Sequence, residues 1–354
     1  MHIEQRRGGH LETVHPVSAA LYADGAIRWS VGPDVSSFWR SGCKAMQLTT
    51  SLEHVPADVI ATLTDTDLAI GAASHSAEPF HVAHVQGLLA RFELTEADLR
   101  CGAHRPMHEP SARALDIAGL APSQLHSNCS GKHTFMRAAA RFAGWAPDYR
   151  PIGHPLQQAN LRRMTEWAGL TPGIAVDGCG VPSFHHPLSA MARAVARLAT
   201  EMGTPSADSP AARGRAPGLS ASVGQERPHP RAGVRVNSAG SGATGSLAGR
   251  IGWAMHREPR HMSGEGRLDL AVVEGATEPL TVKIGAEGLF TIAMPQRRAG
   301  LVIKCHTGND AALAIAVRAV LDQLFPGMFL PSEWPWSVVP NVVGDVVGER
   351  TAVW

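Results

Sequence analysis

WRSGCK (residues 39–44) contains a serine and a lysine three positions apart, Ser41 and Lys44, at the head of a run, residues 41–53, that predicts a helix. Residues at i and i+3 share one face of a helix, so the lysine amine is expected within hydrogen-bond reach of the serine hydroxyl. A desolvated amine beside a second cation has a lowered pKa, and it can then accept the serine proton and activate the hydroxyl as a nucleophile. Because short Ser-x-x-Lys matches also occur by chance, an ordinary exposed pair is the competing interpretation.

The composition is that of a globular chain without a strong electrostatic preference. Its 354 residues include 32 basic and 31 acidic side chains, for a formal net charge of +1, so neither nucleic acid nor an anionic membrane is expected as a partner. Hydrophobic residues make up 44% of the chain, which is enough for a buried core. The first residues are polar, and no run reaches the roughly 18 apolar residues of a membrane span. The five cysteines are widely spaced, so we expect a soluble, cytoplasmic protein.

Short strands and amphipathic helices are mixed along the chain. Residues 17–20 and 27–31 flank an Asp24-Gly25 turn that predicts a β-hairpin, and the apolar run 68–73 is interpreted as a buried strand. Helices are further predicted over residues 80–92, 134–143, 155–168, 187–202, 247–256 and 310–324, and strands over 280–284, 288–294, 301–305 and within 338–354. Antiparallel hairpins at both ends predict an α+β sandwich of antiparallel sheet and helices.

Residues 203–245 differ from the rest of the chain in composition. Gly, Pro, Ser, Ala and Arg dominate there, and large apolar residues are scarce. Such a segment cannot bury enough apolar surface to offset its ordering entropy. We interpret it as a flexible insert within a single catalytic domain that spans residues 1–354.

Two further motifs follow the Ser-x-x-Lys motif in order. Ser74 stands in a Ser-x-Ser motif after the predicted strand, and Lys283 stands in a Lys-x-Gly motif with Gly285. This order resembles that of serine β-lactamases and penicillin-binding proteins, in which a helix-borne Ser–Lys pair meets a second polar pair in one cleft. A second lysine also explains how the first stays neutral, because two neighbouring ammonium groups depress each other's pKa.

A second group of candidate residues has the side chains of a metal site. Cys129, Lys132 and His133 lie within about one helical turn, and Asp177 and Cys179 lie in a later loop. Thiolate and imidazole ligands suit zinc, and three protein ligands leave a fourth position for water or substrate. Spacing alone favours His133 as the third ligand. The competing interpretation is two buried cysteines near a core histidine.

Outside residues 203–245, nearly the whole chain resembles the rhizobial-type L-asparaginase family, also called asparaginase II. The resembling segments are Arg40-Ser41-x-x-Lys44, Ala73-Ser74-His75-Ser76-x-Glu78, Cys101-Gly102-x-His104, Ser127-Asn128-Cys129-Ser130-Gly131-Lys132-His133, Asp177-Gly178-Cys179-Gly180-Val181-Pro182, Gly264-Glu265-Gly266-Arg267 and Lys283-x-Gly285-Ala286-Glu287-Gly288. The resemblance implies a serine β-lactamase/glutaminase-like fold and a homodimer. It also implies an L-asparaginase that converts L-asparagine to L-aspartate and ammonia.

The resemblance further implies roles for individual residues. Ser41 with Lys44, and Ser74 with Lys283, would form two Ser–Lys tandems that carry out acyl transfer. A zinc ion (Zn2+) would be held by Cys129, Lys132 and Cys179, so that Lys132 and not His133 is the third ligand. The residues expected to contact the substrate are Arg40, His75, His133 and Asp177.

Two other functions use the same residues. A penicillin-recognising, β-lactamase-like serine hydrolase would share the chemistry, but only 33 positions separate Ser41 from Ser74 and no export signal is present. A catalytically silent zinc-binding homologue would keep the fold alone, and the presence of all four serine and lysine positions argues against it. Which serine is the nucleophile, and whether asparagine or glutamine is preferred, stay open.

Overall fold

The computed structural model describes residues 1–203, 246–329 and 334–354. Its strands are β1 (His2–Arg7), β2 (His10–Ala23), β3 (Ala26–Val31), β4 (Ser36–Phe38), β5 (Gly173–Val176), β6 (Pro182–Pro187), β7 (Thr281–Gly285), β8 (Leu289–Met294), β9 (Ala299–Cys305), β10 (Val338–Pro340) and β11 (Val346–Val353). Its helices are α1 (Lys44–Leu52), α2 (Ala57–Ala61), α3 (Asp65–Gly71), α4 (Pro79–Arg91), α5 (Glu109–Ile117), α6 (Ser130–Phe142), α7 (Pro155–Ala168), α8 (Leu188–Met202), α9 (Leu247–Arg257), α10 (Pro259–Met262), α11 (Leu268–Gly275) and α12 (Asp310–Leu324). Apart from Gly203, the predicted insert lies outside the described residues.

An antiparallel sheet with strand order β10-β11-β1-β2-β9-β8-β7 forms the centre of the fold, and β3 also pairs with β2. The 14-residue β2 is long enough to pair with β1 in its first half and with β3 and β9 in its second half. Strand β11 pairs with β1, with His2 opposite Val353, so the two ends of the sequence meet in one sheet. A smaller sheet has the order β4-β6-β5. The predicted α+β class with an antiparallel sheet is confirmed.

Helices cover both faces of the central strands. Helix α8 packs on β2, β8 and β9, and α12 also packs on β9. Every residue of β7 and β8 is buried, which is typical of strands covered on both sides. Burial of each large apolar side chain there contributes about 1.5–3 kcal/mol to the free energy of folding. No helix in the described ranges combines the length and apolar character needed to span a membrane.

The predicted hairpin around Asp24-Gly25 and the long helices are confirmed, but the interpretation of residues 68–73 as a strand is wrong. Residues Asp65–Gly71 form helix α3. Thr64 and Asp67 make a reciprocal capping box at its start. Each side chain accepts a hydrogen bond from the other residue's backbone amide, whereas in a strand these amides would pair with a neighbouring strand. A short apolar run does not distinguish a buried helix from a buried strand. Ser74 therefore follows the end of a helix.

Two glycines allow the segments that carry the motifs to approach closely. A Cβ atom on Gly131 of α6 would lie 2.1 Å from the carbonyl oxygen of Ile70 in α3. A Cβ atom on Gly285 of β7 would lie 2.8 Å from the carbonyl oxygen of Trp39. Because neither backbone oxygen can move aside easily, these positions require glycine. The two contacts bring α6 and β7 close to the segments that contain Ser74 and Ser41.

Candidate active site

Ser41 lies in a short 3-10 turn, Arg40–Cys43, between β4 and α1. Trp39 anchors this turn, because its buried indole Nε1 donates a 2.9 Å hydrogen bond to Nδ1 of His186. Arg40 has a φ of +46°, in the left-handed region that costs a non-glycine residue on the order of 1–3 kcal/mol. Helix α1 begins only at Lys44, so the spacing of an α-helix does not apply between Ser41 and Lys44.

The buried Lys44 ammonium is directed at Ser74 and not at Ser41. Its Nζ lies 2.6 Å from the Ala73 carbonyl oxygen, 2.9 Å from Ser74 Oγ and 3.4 Å from the Asn128 carbonyl oxygen. Within the described ranges, the Ser41 hydroxyl has no hydrogen-bond partner. The structure thus brings the predicted residues together, but its one Ser–Lys hydrogen bond among the described residues joins Lys44 to Ser74.

Lys283 lies on β7 and is also buried. Its Nζ donates to the Ile284 carbonyl oxygen at 3.1 Å and lies 3.8 Å from Oδ1 of Asp269 in α11. Burial lowers the pKa of Lys283 to about 8; Asp269 acts in the opposite direction, and Lys44 lowers the pKa further. Lys44 lowers the pKa of Lys283 because two neighbouring ammonium groups repel each other, as predicted from the sequence. No hydrogen bond joins Lys283 to Ser74 among the described residues.

A cavity of about 290 Å³ opens above these groups. Its lining residues are Arg40, Ser41, Cys101, His104, Ser127, Asn128, Cys129, Asp177, Gly178, Cys179 and Ala286. The volume lies near the lower end for small-molecule sites, so the cavity suits a small metabolite. Of the four predicted catalytic side chains, Ser41 lines it, while Lys44, Ser74 and Lys283 are buried.

Arg40 and Asp177 form an ion pair at the cavity wall. Arg40 Nε donates to Asp177 Oδ1 at 2.6 Å, and the Gly178 amide donates to the same oxygen at 2.8 Å. Burial alone would raise the pKa of Asp177, but Lys132 and Arg40 outweigh it and lower the pKa. The site therefore presents a carboxylate and a guanidinium side by side, which suits a substrate that carries both charges.

Cys129, Lys132 and Cys179 converge beside the cavity. Lys132 Nζ donates to Cys179 Sγ at 3.2 Å, and the Cys129 thiol also hydrogen-bonds to Cys179. The bond from Cys129 lowers the pKa of Cys179 to about 5, and the same bond with burial raises the pKa of Cys129 to about 12. Burial opposes the charge on Lys132, but the two sulfurs raise its pKa above the usual lysine value.

This donor set fits the zinc site that the resemblance implies. Two sulfurs and one nitrogen are suitable zinc ligands, provided that Lys132 releases its proton on binding. His133 is less suitable. In the described ranges, no ring nitrogen of His133 forms a group with both cysteine sulfurs in which all three atoms lie within 4.8 Å of one another. The geometry thus favours Lys132, as the resemblance does, over the ligand that spacing favours.

His75 and His133 are fully buried and neither ring lines the cavity. His75 Nε2 bonds to Ser130 Oγ at 2.8 Å, and its Nδ1 accepts from the Ala77 amide at 3.2 Å. His133 Nδ1 bonds to the Tyr149 hydroxyl at 2.8 Å, whereas its Nε2 has no partner among the described residues. Burial holds the pKa of both imidazoles well below the usual value, so both rings are neutral.

A different cluster, Glu78, His108 and Glu265, also places three ligand atoms within 4.8 Å of one another. Arg260 Nη2 lies 3.3 Å from Glu78 Oε2 and 3.9 Å from Glu265 Oε2. Arg260 contacts both carboxylates, and Glu78 Oε1 also accepts hydrogen bonds from Ser76 Oγ and the Glu265 amide, so we interpret the cluster as an ion-pair and hydrogen-bond network. It does not share a residue with the predicted zinc site.

Three residues of the site received no role from the sequence. Asn128 lines the cavity and its carbonyl oxygen faces Lys44, while His104 Nε2 accepts from the Asn128 amide at 2.8 Å. Asn128 and His104 both lie in segments that carry the family resemblance. This resemblance was the signal in the sequence that could have identified them. Asp269 beside Lys283 stands two positions after the Gly-Glu-Gly-Arg segment and had no signal of its own.

A family model described as L-asparaginase II matches residues 3–217 and 230–352. No curated protein matches the chain. A solved structure described as "Crystal Structure Analysis of Mglu in its native form" is similar over 91% of this chain and 67% of that chain, with 14% identity and a TM-score of 0.43. So low a score supports no conclusion about fold or function.

Proposed function

Because this chain belongs to the L-asparaginase II family, we propose that it is an L-asparaginase, an amidohydrolase that converts L-asparagine to L-aspartate and ammonia. The observation that carries the proposal is the arrangement of Ser41, Lys44 and Ser74. Ser41, whose hydroxyl has no hydrogen-bond partner among the described residues, lines a small cavity, and the buried Lys44 is 2.9 Å from a second serine. Such an arrangement suits acyl transfer through a serine ester.

The hydrogen bonds of Lys44 support a role as a base. A neutral amine has two N–H donors and one lone pair. Two carbonyl oxygens, of Ala73 and Asn128, accept from Lys44, so the lone pair of the neutral amine would face Ser74 Oγ. In that form Ser74 donates its hydroxyl hydrogen to Lys44 and its own oxygen can accept a proton from Ser41.

Ser41 Oγ attacks the side-chain amide carbon in the proposed reaction, and its proton passes to the Lys44–Ser74 pair. Lys283, as the second ammonium, supplies a proton to the departing nitrogen, which leaves as ammonia. Water then attacks the aspartyl ester and gives its proton to the neutral Lys283, while Ser41 Oγ leaves with the proton held by the Lys44–Ser74 pair, so that both lysines return to their starting states and L-aspartate is released. The wholly buried position of both lysines strengthens these electrostatic interactions, because a low-dielectric site screens charge less than water does.

Arg40 and Asp177 are proposed to bind the charged end of asparagine. The guanidinium would pair with the α-carboxylate and the carboxylate with the α-ammonium group, exchanging their mutual ion pair for two with the ligand. His75 and His133 would act on the substrate indirectly in this scheme, because their rings are buried, are not among the lining residues and bond to Ser130 and Tyr149.

Cys129, Lys132 and Cys179 would hold zinc beside this cavity. A bound zinc ion would supply a Lewis acid that orients and polarises an oxygen ligand. Family membership also supports a homodimer. The described cysteines are all free and buried, which supports a cytoplasmic location.

Release of ammonia from L-asparagine, L-glutamine and buffer alone tests the proposal, with hydrolysis of a chromogenic cephalosporin measured in parallel. We expect turnover of asparagine above glutamine and no lactam hydrolysis. Lactam hydrolysis without ammonia release would favour a penicillin-recognising enzyme. Zinc binding with no turnover of any substrate would favour a catalytically silent homologue.

A further inference from the structure

Lysine is scarce in this protein, and its placement is unusual. The chain has only four lysines, at positions 44, 132, 283 and 304. The first three are at most 2% exposed, and Lys304 is partly buried with its ammonium on the carbonyl oxygens of Glu287 and Cys305. Surface lysines are normally common because their charge is well hydrated. Each of the four lysines has its own set of contacts. The atoms that contact an amine indicate whether the amine is charged.

The three buried lysines differ in the kinds of atoms that contact their amines. Lys44 contacts two carbonyl oxygens and a hydroxyl, and Lys132 contacts a cysteine sulfur. Counting the residues that the structure describes, Lys283 alone has a carboxylate oxygen within 4.0 Å, the Oδ1 of Asp269 at 3.8 Å. A buried carboxylate is the partner that keeps a buried ammonium charged.

Asp269 is held in place by the strand that carries Lys283. Its side chain is fully buried, and Oδ1 accepts a 2.7 Å hydrogen bond from the Ile284 amide. The other oxygen, Oδ2, is buried without a partner among the described residues. Leaving an ionised carboxylate in this position without a cation would be very costly. Among the described residues, the Lys283 ammonium is the one cation within 4.0 Å of an Asp269 oxygen, so it is the group that offsets this cost.

We propose that Asp269 is a positioning residue of the active site, whose carboxylate holds the Lys283 ammonium and keeps this lysine charged while Lys44 serves as the base. This division of labour rests on the proposed function, because it makes Lys283 the proton donor to the departing ammonia. It explains how two neighbouring lysines can carry opposite tasks, since only one of them has a carboxylate partner.

Other groups near Lys283 act in both directions. Asp269 and Cys129 raise its pKa, whereas burial, Lys44 and Arg267 lower it. Cys43, in the turn that packs on β7, keeps its proton because burial raises its pKa to about 12. On α9, His256 is bonded to the carbonyl oxygen of Leu280, three positions before Lys283. Among these groups Asp269 is the carboxylate, 3.8 Å from Lys283 Nζ.

The test is nuclear magnetic resonance of the whole protein labelled with 13C at the lysine Cε carbons. Four lysines give four signals, which single Lys→Arg variants assign. We expect the Lys283 signal to titrate near pH 8, the value of its pKa, so that the amine is mostly charged at pH 7. Asp269→Asn should move this midpoint about one to three pH units lower, because an opposite charge is lost, and Asp269→Glu should restore it.

Asp67→Asn is the matched control. Asp67 is another buried carboxylate, it pairs with Arg91 at 2.8 Å, and it is not part of the candidate site. It should lower stability without moving the Lys283 midpoint. An unmoved midpoint in Asp269→Asn overturns the proposal. If that variant does not fold, the native protein decides, since a Lys283 already neutral at pH 7 overturns the proposal equally.

Turnover of asparagine supplies a second readout. In a plot of kcat against pH, the fall at alkaline pH should have the same midpoint as the Lys283 titration. In Asp269→Asn this fall should move to lower pH. The variant should lose more in kcat than it changes in KM. A uniform loss at all pH values would indicate a structural role only. Absence of turnover in the native protein would refute the proposed function, while the resonance titration would still decide whether Asp269 controls the charge of Lys283.

Discussion

Lys44 Nζ lies 2.9 Å from Ser74 Oγ across 30 positions of sequence, whereas no hydrogen bond joins Lys44 to Ser41 three positions away in the described part of the chain. The Ala73 and Asn128 carbonyl oxygens, 2.6 Å and 3.4 Å from the same Nζ, hold the ammonium beside Ser74. The lysine therefore connects two motifs of the site, and Ser41 is left facing the cavity.

We predict that Ser41, Ser74 and Lys44 act as one unit. Ser41→Ala, Ser74→Ala and Lys44→Met should each lower kcat on the order of a thousandfold or more, and a double variant should lose little beyond a single one. Steady-state kinetics with asparagine measures these losses. Ser51→Ala is the control, because the hydroxyl of this buried α1 serine donates to the Gln47 carbonyl oxygen of its own helix. Losses that simply add would contradict the shared mechanism.

The acyl intermediate is predicted on Ser41. Of the two serines, Ser41 lines the cavity, whereas Ser74 is 3% exposed and bonded to Lys44. An electrophilic diazo-ketone analogue of asparagine should label Ser41, and peptide mass spectrometry locates the adduct. Ser41→Ala should remain unlabelled, while Ser74→Ala should be labelled slowly. An adduct on Ser74 in the native protein would reverse the roles of the two serines.

Purified protein should carry about one zinc ion per chain, held by Cys129, Lys132 and Cys179. Cys129→Ala and Cys179→Ala should each lose most of the metal, because each removes one of three ligands. Cys305→Ala is the matched control, since this buried cysteine lies on β9 and is no part of the cavity lining. Elemental analysis after dialysis measures the zinc content. Full retention in both cysteine variants would rule out this ligand set.

Two helical glycines should respond to alanine with opposite signs. Gly131→Ala places a Cβ atom 2.1 Å from the Ile70 carbonyl oxygen and should lower the free energy of unfolding by about 1–3 kcal/mol. Gly87 lies inside α4 with nothing within 4 Å, so Gly87→Ala should raise that free energy by about 0.5–1 kcal/mol. Urea denaturation compares the two variants. Equal effects would show that the contact between α6 and α3 is not close.

Lys283 should contribute a rise in stability with pH, whereas buried thiols such as Cys43, whose pKa is raised, contribute a fall above about pH 8.5. The pKa of Lys283 is about 8 in the folded protein and near 10.4 in an unfolded chain, so between these values the unfolded state binds more protons. The cost of burying the charge is fully present below about pH 8 and disappears as pH rises toward 10.4. Lys283→Met should therefore show a smaller rise in unfolding free energy over this range than the native protein.

Urea denaturation at a series of pH values checks this expectation. Arg28→Met is the control, because Arg28 is exposed and an arginine keeps its charge throughout the range. A Lys283→Met variant whose stability changes with pH as much as that of the native protein between about pH 8 and 10 would contradict the lowered pKa of Lys283.

Local sequence signals determined much of the fold. The Asp24-Gly25 turn predicted its hairpin, and periodicity predicted α7 and α12 at the residues where they occur. These features depend on contacts within one element, so a single stretch of sequence contains the information. Residues 68–73 show the limit, because an apolar run becomes helix α3 only through the Thr64–Asp67 cap and its packing.

Ordered motifs also predicted the candidate site residues, and the same motifs predicted the L-asparaginase II family that the chain matches. The pairing of the site residues was not readable. Whether Lys44 bonds to Ser41 or Ser74 depends on where a loop after α3 meets the start of α1, and the partner of Lys283 comes from α11. Partners far apart in sequence are selected by packing, and only the tertiary structure places the Asp269 carboxylate beside one lysine and leaves the other without one.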